Sequence, residues 1–411
     1  MVDSRGENGP ALGKYGNNAA IPGQKAFSLL RWLWSESGLA GVRKCHRVRW
    51  APDVEVWQSG SGEIFYKGFC RCHSVWACPL CAPLIRKRRA VDLSAFLVAW
   101  LAEGHGVAFV TATLPHDQGD RLEALFPGVS ESWRTVLGGR RVVELRRELP
   151  FESARAAEVT HGLNGWHPHL HSVLLFDRPL EREEAKALRA ALFASWCSAV
   201  MSHGWRPPSE EYGLSFIRCA GGGVGSYVSK VEGLADEMTR LDVKQGRKGK
   251  HSTEGPFAIL RRAVAGDDVA AARWREYEAG TLGRRALTYS RGFSALTTDW
   301  GSAKRLSLSD ADLCEPDGSL GLSLLGVLLG SEADLIALHP QGFEVFGEAV
   351  GAATAESWRS ALEQVRGSMP WWLSEAGWAR EGERLRRERE AERASLMGVQ
   401  GVFAIEERVG Q

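Results

Sequence analysis

The sequence is short of the features that would place it in a membrane, outside the cell or in a repeat scaffold. No run of 18 apolar residues occurs in its 411 positions, so no transmembrane helix is expected. The opening "MVDSRGENGPALGKYGNNAAIPGQK" is polar and has no apolar segment of the kind a secretory leader needs. A cytoplasmic location with no membrane partner is therefore expected. The formal net charge is +1, which excludes a uniformly basic coat for nucleic acid. There is no internal repeat and no helicase-type GxxxxGK[ST] segment. Histidine is scarce, at 11 residues, and cysteine numbers eight. The positions of these two residue types carry most of the chemistry that can be read.

Three of the histidines stand at alternate positions in "GWHPHLHSVLLF", residues 165–176. The β-branched, aliphatic and aromatic run after them predicts a strand, and a strand places residues i, i+2 and i+4 on one face. His167, His169 and His171 then share a face with Val173 and Leu175, while Leu170, Leu174 and Phe176 line the other. Two imidazoles at i and i+2 can hold one divalent ion. The preceding "SARAAEVT", 153–160, reads as the partner strand of a hairpin around "HGLNG". A register that pairs Thr160 with His167 also pairs Glu158 with His169 and sets the small Ala156 opposite His171. Two histidines, one carboxylate and open positions suit Mg²⁺ or Mn²⁺.

Five of the cysteines lie between 45 and 81, and clustered cysteines in a cytosolic chain point to metal before disulfides. Cys78-Pro-Leu-Cys81 has the spacing of a zinc knuckle, Cys72 lies close by, and a closed set of four ligands would be structural. Spacing leaves the fourth ligand open among Cys45, Cys70, His46 and His73. Cys197, Cys219 and Cys314 are isolated and expected in the core, as are most of the 16 tryptophans.

The organisation is α+β, with an antiparallel sheet flanked by helices. Residues 1–40 are expected to form a flexible tail, 41–90 a zinc-binding module, 91–300 the main domain, and 301–411 a mixed, partly helical region. Strands are expected at "GVAFVTATL" (106–114) and "LSFIRC" (214–219), and helices over 86–103 and 180–200. Three basic runs, "RKRR" at 86–89, "GGRRVVELRRE" at 138–148 and "KQGRKGKH" at 244–251, suit phosphate contact. The last supplies Arg247, Lys248 and Lys250 as candidate DNA contacts. In "GSYVSK", Tyr227 and Lys230 fall on one helical face. A phenol becomes a competent nucleophile when a cation sits beside it or a metal polarises its target.

"FVTATLPH", "EVTHGLNGWHPHLHSVLLF" and "YVSK", in that order, resemble the three motifs of the HUH endonucleases, and more narrowly the rolling-circle plasmid replication initiators of the actinobacterial branch. "GFCRCHSVWACPLCA" and "GTLGRRALTYSRGF" resemble that branch's zinc and downstream segments, so the likeness runs from about 40 to 295. The resemblance implies a divalent-ion site at Glu158, His169 and His171, with His167 in a supporting position. It implies Tyr227 as the nucleophile on a DNA phosphodiester, Lys230 as its neighbour, and structural zinc on Cys72, Cys78, Cys81 and, as the fourth ligand chosen, Cys45. Its partners would be plasmid origin DNA, single-stranded or hairpin, and a host helicase and polymerase. Some relatives carry an acidic residue one helical turn before the tyrosine for termination. Gly223 stands there, which leaves Glu232, Asp236, another group or a second copy to take that role. A transposase or mobilisation relaxase of the same chemistry, and a non-catalytic zinc-dependent DNA-binding regulator, are the competing expectations.

Overall fold

A computed structural model describes residues 23–60, 62–219, 253–299, 306–315 and 322–338, with Gly342, Phe343, Phe346, Gly347, Trp358, Ser360 and Glu363 beyond them. Its centre is a hairpin of β4 (Glu152–Gly162) and β5 (Gly165–Phe176). The turn between them is two residues, Leu163 and Asn164, closed by the pair Gly162–Gly165. Gly165 adopts φ +83°, and a Cβ there would lie 3.1 Å from the Gln118 backbone, so both conformation and space require glycine. β3 (Gly106–Thr113) pairs with the other edge of β5, β6 (Leu214–Cys219) with β3, and β7 (Leu287–Tyr289) with β4. All pairings are antiparallel, and the strand order is β6-β3-β5-β4-β7.

Both faces of this sheet are covered. On one, α4 (Leu122–Gly138), α6 (Arg182–Ser202) and the helices Pro256–Val264 and Asp268–Thr281 pack over Ala112, Val159, Leu170, Leu174 and Phe176. Trp133, Trp196, Trp274 and Tyr277 are fully buried there. The apolar stripe of α6 (Leu188, Leu192, Trp196, Ala199) is buried throughout. On the other face, α3 (Cys81–Ala102) and the helix Arg291–Asp299 cover Val107, Phe109, Ala154, Val173 and Leu175 with Leu93, Phe96, Leu97, Trp100 and Phe293. That cover ends where β5 becomes polar, and the three histidines begin there.

The amino-terminal part departs from expectation. Within the expected flexible tail, residues 23–36 form α1 (Gly23–Glu36), because Phe27, Leu30, Leu33 and Trp34 recur at helical spacing and are buried. α2 (Ala40–Lys44), β1 (Val54–Gln58) and β2 (Ile64–Lys67) follow. β1 also pairs with β8 (Ser323–Leu328), giving a second sheet of order β2-β1-β8. The region after 301 is thus woven into the amino-terminal module: Arg49 pairs with Asp334 at 2.7 Å, and Phe343 stacks on Phe27 with centroids 3.9 Å apart. The boundary expected at 90 falls inside α3, which starts at a cysteine of the module and ends over the main sheet.

The "RKRR" run is also corrected. Arg86 and Arg88 are 4% and 5% exposed. Arg86 donates to the Val75 carbonyl and lies over the Trp76 ring, and Arg88 donates to the carbonyls of Leu313 and Glu315. Arg89 donates to Leu306 and Leu308 and pairs with Asp310 at 3.0 Å. Arg88 and Arg89 thus staple the post-301 chain to α3, and Arg86 ties α3 to the loop before it; Lys87 remains on the surface beside Glu63. The second basic run forms α5 (Arg140–Glu148), where Arg140 pairs with Glu144 and Arg146 with Glu152. Among the described residues, no helix is long and apolar enough to cross a membrane.

Candidate metal centres

The register of β4 on β5 sets Thr160 against His167, Glu158 against His169 and Ala156 against His171, as expected from the hairpin. On the far edge of β5, β3 sets Thr113 against His169 and Thr111 against His171. Alternation then points Glu158, His169 and His171 to one side, and all three are buried, at 4%, 6% and 5% exposure. The Nε2 atoms of His169 and His171 lie 2.8 and 2.9 Å from the same carboxylate oxygen, Glu158 Oε2. One donor atom from each residue falls within 4.8 Å of the others.

This donor set fits a divalent cation. Neighbouring ligands on an octahedral ion at about 2.1 Å stand about 3.0 Å apart, close to the spacings between Glu158 and each imidazole. A buried carboxylate is costly unless compensated, and two imidazoles supply that compensation. The Thr111 hydroxyl lies 3.2 Å from His171 Nδ1, so a hydrogen bond on the second nitrogen fixes the ring while Nε2 faces the carboxylate. His167 shares the face but is not in the group of three donors. Its Nδ1 is 3.3 Å from His116 Nε2, and His116 Nδ1 is 3.0 Å from the Leu114 carbonyl. A carbonyl only accepts, so His116 donates through Nδ1 and, when neutral, accepts from His167 through Nε2. Thr111 and His116 both lie in the segment "FVTATLPH"; the sequence marks that segment without giving either residue a role.

The second cluster is closed. Cys45 Sγ lies 3.7 Å from Cys78 Sγ and from Cys81 Sγ, and Cys72 Sγ lies 3.8 Å from Cys81 Sγ. Four thiolates about 2.3 Å from a tetrahedral ion have edges of about 3.8 Å, so the sulfurs fit such an ion. The ligands come from three places: the end of α2, the loop after β2, and the entry to α3. The Cys81 amide donates to Cys78 Sγ at 3.4 Å, the local turn that the two-residue spacing makes. His46 and His73, each directly after a cysteine, adopt φ of +52° and +53° and turn the chain away. Of the alternatives for the fourth position, Cys45 joins the group and Cys70, His46 and His73 do not. The His46 ring packs against Phe27, Phe69 and Phe343, and burial, then the Arg71 charge, lowers its pKa to about 3. It stays neutral against the Cys45 sulfur, 3.4 Å away. The three neighbouring sulfurs, followed by burial, push the Cys45 thiol well above its ordinary range, so a cation entering the cluster would displace protons.

Tyr227, Lys230, Gly223, Glu232, Asp236, Arg247, Lys248 and Lys250 lie outside the described residues.

Two curated proteins are similar in sequence. The chain is 28% identical over 307 residues to "Protein rep" of Streptomyces lividans, covering 59% of this chain and 66% of that protein. It is 28% identical over 154 residues to "Neomycin resistance protein" of Streptomyces cyanogenus, covering 30% of this chain and 35% of that protein. The chain therefore spans just under two thirds of the length of the first and about a third of the second. No family model matches the chain, and no solved structure does. The likeness to Protein rep agrees with the resemblance to plasmid replication initiators carried by the sequence motifs.

Proposed function

We propose that this relative of Streptomyces Protein rep is a plasmid rolling-circle replication initiator that nicks and rejoins one DNA strand at the origin. The observation that carries the reading is the buried Glu158–His169–His171 group on neighbouring strands of an antiparallel sheet. This is the HUH-type reading of the sheet. Zinc is the ion proposed for Cys45, Cys72, Cys78 and Cys81, and Mg²⁺ or Mn²⁺ for the Glu–His–His group. A divalent cation held by Glu158, His169 and His171 supplies charge neutralisation at a scissile phosphate.

The chain's own groups do the rest. Tyr227 is the proposed nucleophile: its phenolic oxygen bonds to phosphorus as it loses its proton, and the P–O3′ bond breaks. The products are a 5′-phosphotyrosine and a free 3′-hydroxyl that takes up a proton and primes synthesis. The reverse attack rejoins the strand without ATP, because the phosphodiester energy is kept in the tyrosine linkage. Lys230 lowers the cost of the phenolate. Glu158 holds the imidazoles on one side of the sheet, and Thr111 orients His171. Arg247, Lys248 and Lys250 are proposed contacts to origin DNA, with host helicase and polymerase acting after the nick. The test is incubation with Mn²⁺ and single-stranded oligonucleotides tiling the DNA that flanks the coding sequence. A site-specific nick with a protein-linked 5′ end is expected, and its absence across the tiling set would contradict the reading.

A further inference from the structure

A cleft of about 880 Å³ opens at the turn end of the β4–β5 hairpin, away from the metal cluster's face. Its walls are the loop after β3, the hairpin residues His161, Leu163 and Trp166, and the helices that begin at Pro256 and Asp268. Strand alternation puts His161 on the opposite side of β4 from Glu158 and Thr160. The two sites nevertheless share an end of the sheet: His161 is three residues from Glu158, about 10 Å along a strand.

The cleft's charges are unevenly committed. Four arginines (121, 261, 262, 273) and three carboxylates (Asp120, Glu254, Glu276) line it. Each carboxylate already accepts a bond: Asp120 from the Asp117 amide at 2.7 Å and Glu276 from the Leu122 amide at 3.1 Å, both keeping their charge, and Glu254 from Arg262 at 2.8 Å. Arg262 also binds Asp267 at 2.7 Å. Among the described residues, Arg261 and Arg273 form no ion pair, and Arg121 has only a 3.9 Å approach to Glu123 on a largely exposed side chain. Three guanidinium groups thus line an open cleft without a close carboxylate partner of their own. The cleft is anchored by a main-chain pair between His161 and Glu254, with N···O distances of 3.0 and 2.8 Å.

We infer that this cleft binds the sugar–phosphate backbone of single-stranded DNA through Arg121, Arg261 and Arg273. The bound strand passes over the hairpin turn toward the metal cluster. The inference rests on the nickase reading for its direction but not for its chemistry. Planar guanidinium groups with uncommitted donors recognise phosphate oxygens, and a groove this open suits a polymer better than an enclosed small molecule. In sequence, the run holding Arg247, Lys248 and Lys250 ends two residues before Thr253, a lining residue of the cleft.

The test uses the full chain, fluorescein-labelled oligothymidylate of 15 nucleotides and anisotropy at several salt concentrations, with no Mg²⁺ or Mn²⁺ added so that the catalytic ion plays no part. The double variant Arg261→Gln, Arg273→Gln should weaken binding and lower the salt slope by about 1.4, at about 0.7 for each phosphate no longer neutralised on a single strand. Arg178→Ala, at the far end of the sheet where Arg178 pairs with Glu184, should leave the slope unchanged. An unchanged slope in a double variant with wild-type melting would overturn the proposal, as would failure of the wild type to bind the probe. Nicking is scored separately. Wild type that nicks while the double variant keeps its slope sinks the cleft alone, and a lowered slope in a protein that never nicks sinks the nickase reading alone.

Discussion

The two metal-type clusters differ in how they are closed. Cys45, Cys72, Cys78 and Cys81 supply four sulfurs at tetrahedral spacing, leaving no position for a substrate. Glu158, His169 and His171 supply three donors from two paired strands. A closed set holds structure together, and an open one leaves places for reacting atoms. Their surroundings agree. The cysteine cluster joins α2, the loop after β2 and α3, and the chain after 301 packs on the same module through β8 and Phe343. The histidine cluster sits on the β4–β5 hairpin, where the apolar cover of the sheet stops.

The comparison breaks most visibly at the closed site. Structural zinc contributes about 10–16 kcal/mol of apparent binding energy, comparable to the whole stability of a domain. Cys78→Ser should therefore remove about one zinc per chain and abolish the cooperative melting transition, read by elemental analysis and calorimetry. A variant that melts like wild type without zinc would show that the cluster is not a structural centre. At the open site the expectation reverses: His171→Ala should keep zinc content and melting temperature but lose nicking by on the order of 10²-fold or more, the scale of a lost charge-stabilising group. EDTA should act likewise and be reversed by Mn²⁺ on a timescale at which the cysteine site keeps its zinc.

Smaller effects sharpen the division. Arg88→Ala orphans the buried Leu313 carbonyl and removes a second bond to the half-buried Glu315 carbonyl, and should destabilise the fold by about 1–3 kcal/mol in denaturant titration, with no change in the salt slope of DNA binding. A changed slope with unchanged stability would return "RKRR" to the phosphate-contact reading. Thr111→Val removes the hydroxyl on His171 Nδ1 and keeps the packing, so nicking should fall by about tenfold, the low end for a residue that orients a metal ligand. Higher Mn²⁺ should restore part of that loss. A Thr111→Val protein with wild-type nicking at limiting Mn²⁺ would remove Thr111 from the site.

What can be read in the sequence follows from the range of the interaction responsible. The β4–β5 register is legible because a two-residue turn and strict alternation fix it locally, and Glu158 comes with it. The expected strands at 106–114 and 214–219 match β3 and β6 within one residue for the same reason. Cys45 cannot be fixed by spacing, since it stands 27 positions before Cys72 and only folding brings the two together. The role of "RKRR" is not legible, because charge in a sequence does not reveal whether carbonyls from position 306 onward will fold back onto it. The pairing of β8 with β1 joins residues more than 260 positions apart, and no local pattern announces it. α1 is hidden by the Gly- and Asn-rich segment before it, although its apolar spacing is present.

The central claim is that the open cluster serves a tyrosine nucleophile, and the linkage itself tests it most directly. After reaction with a nicked oligonucleotide and Mn²⁺, the protein–DNA adduct is digested and its peptides are sequenced by mass spectrometry. The account predicts the nucleotide on the peptide containing "SYVSK", at Tyr227, and no adduct from Tyr227→Phe protein that still binds metal and DNA. A nucleotide on Tyr212 or Tyr289, or an adduct that persists in Tyr227→Phe, would contradict it.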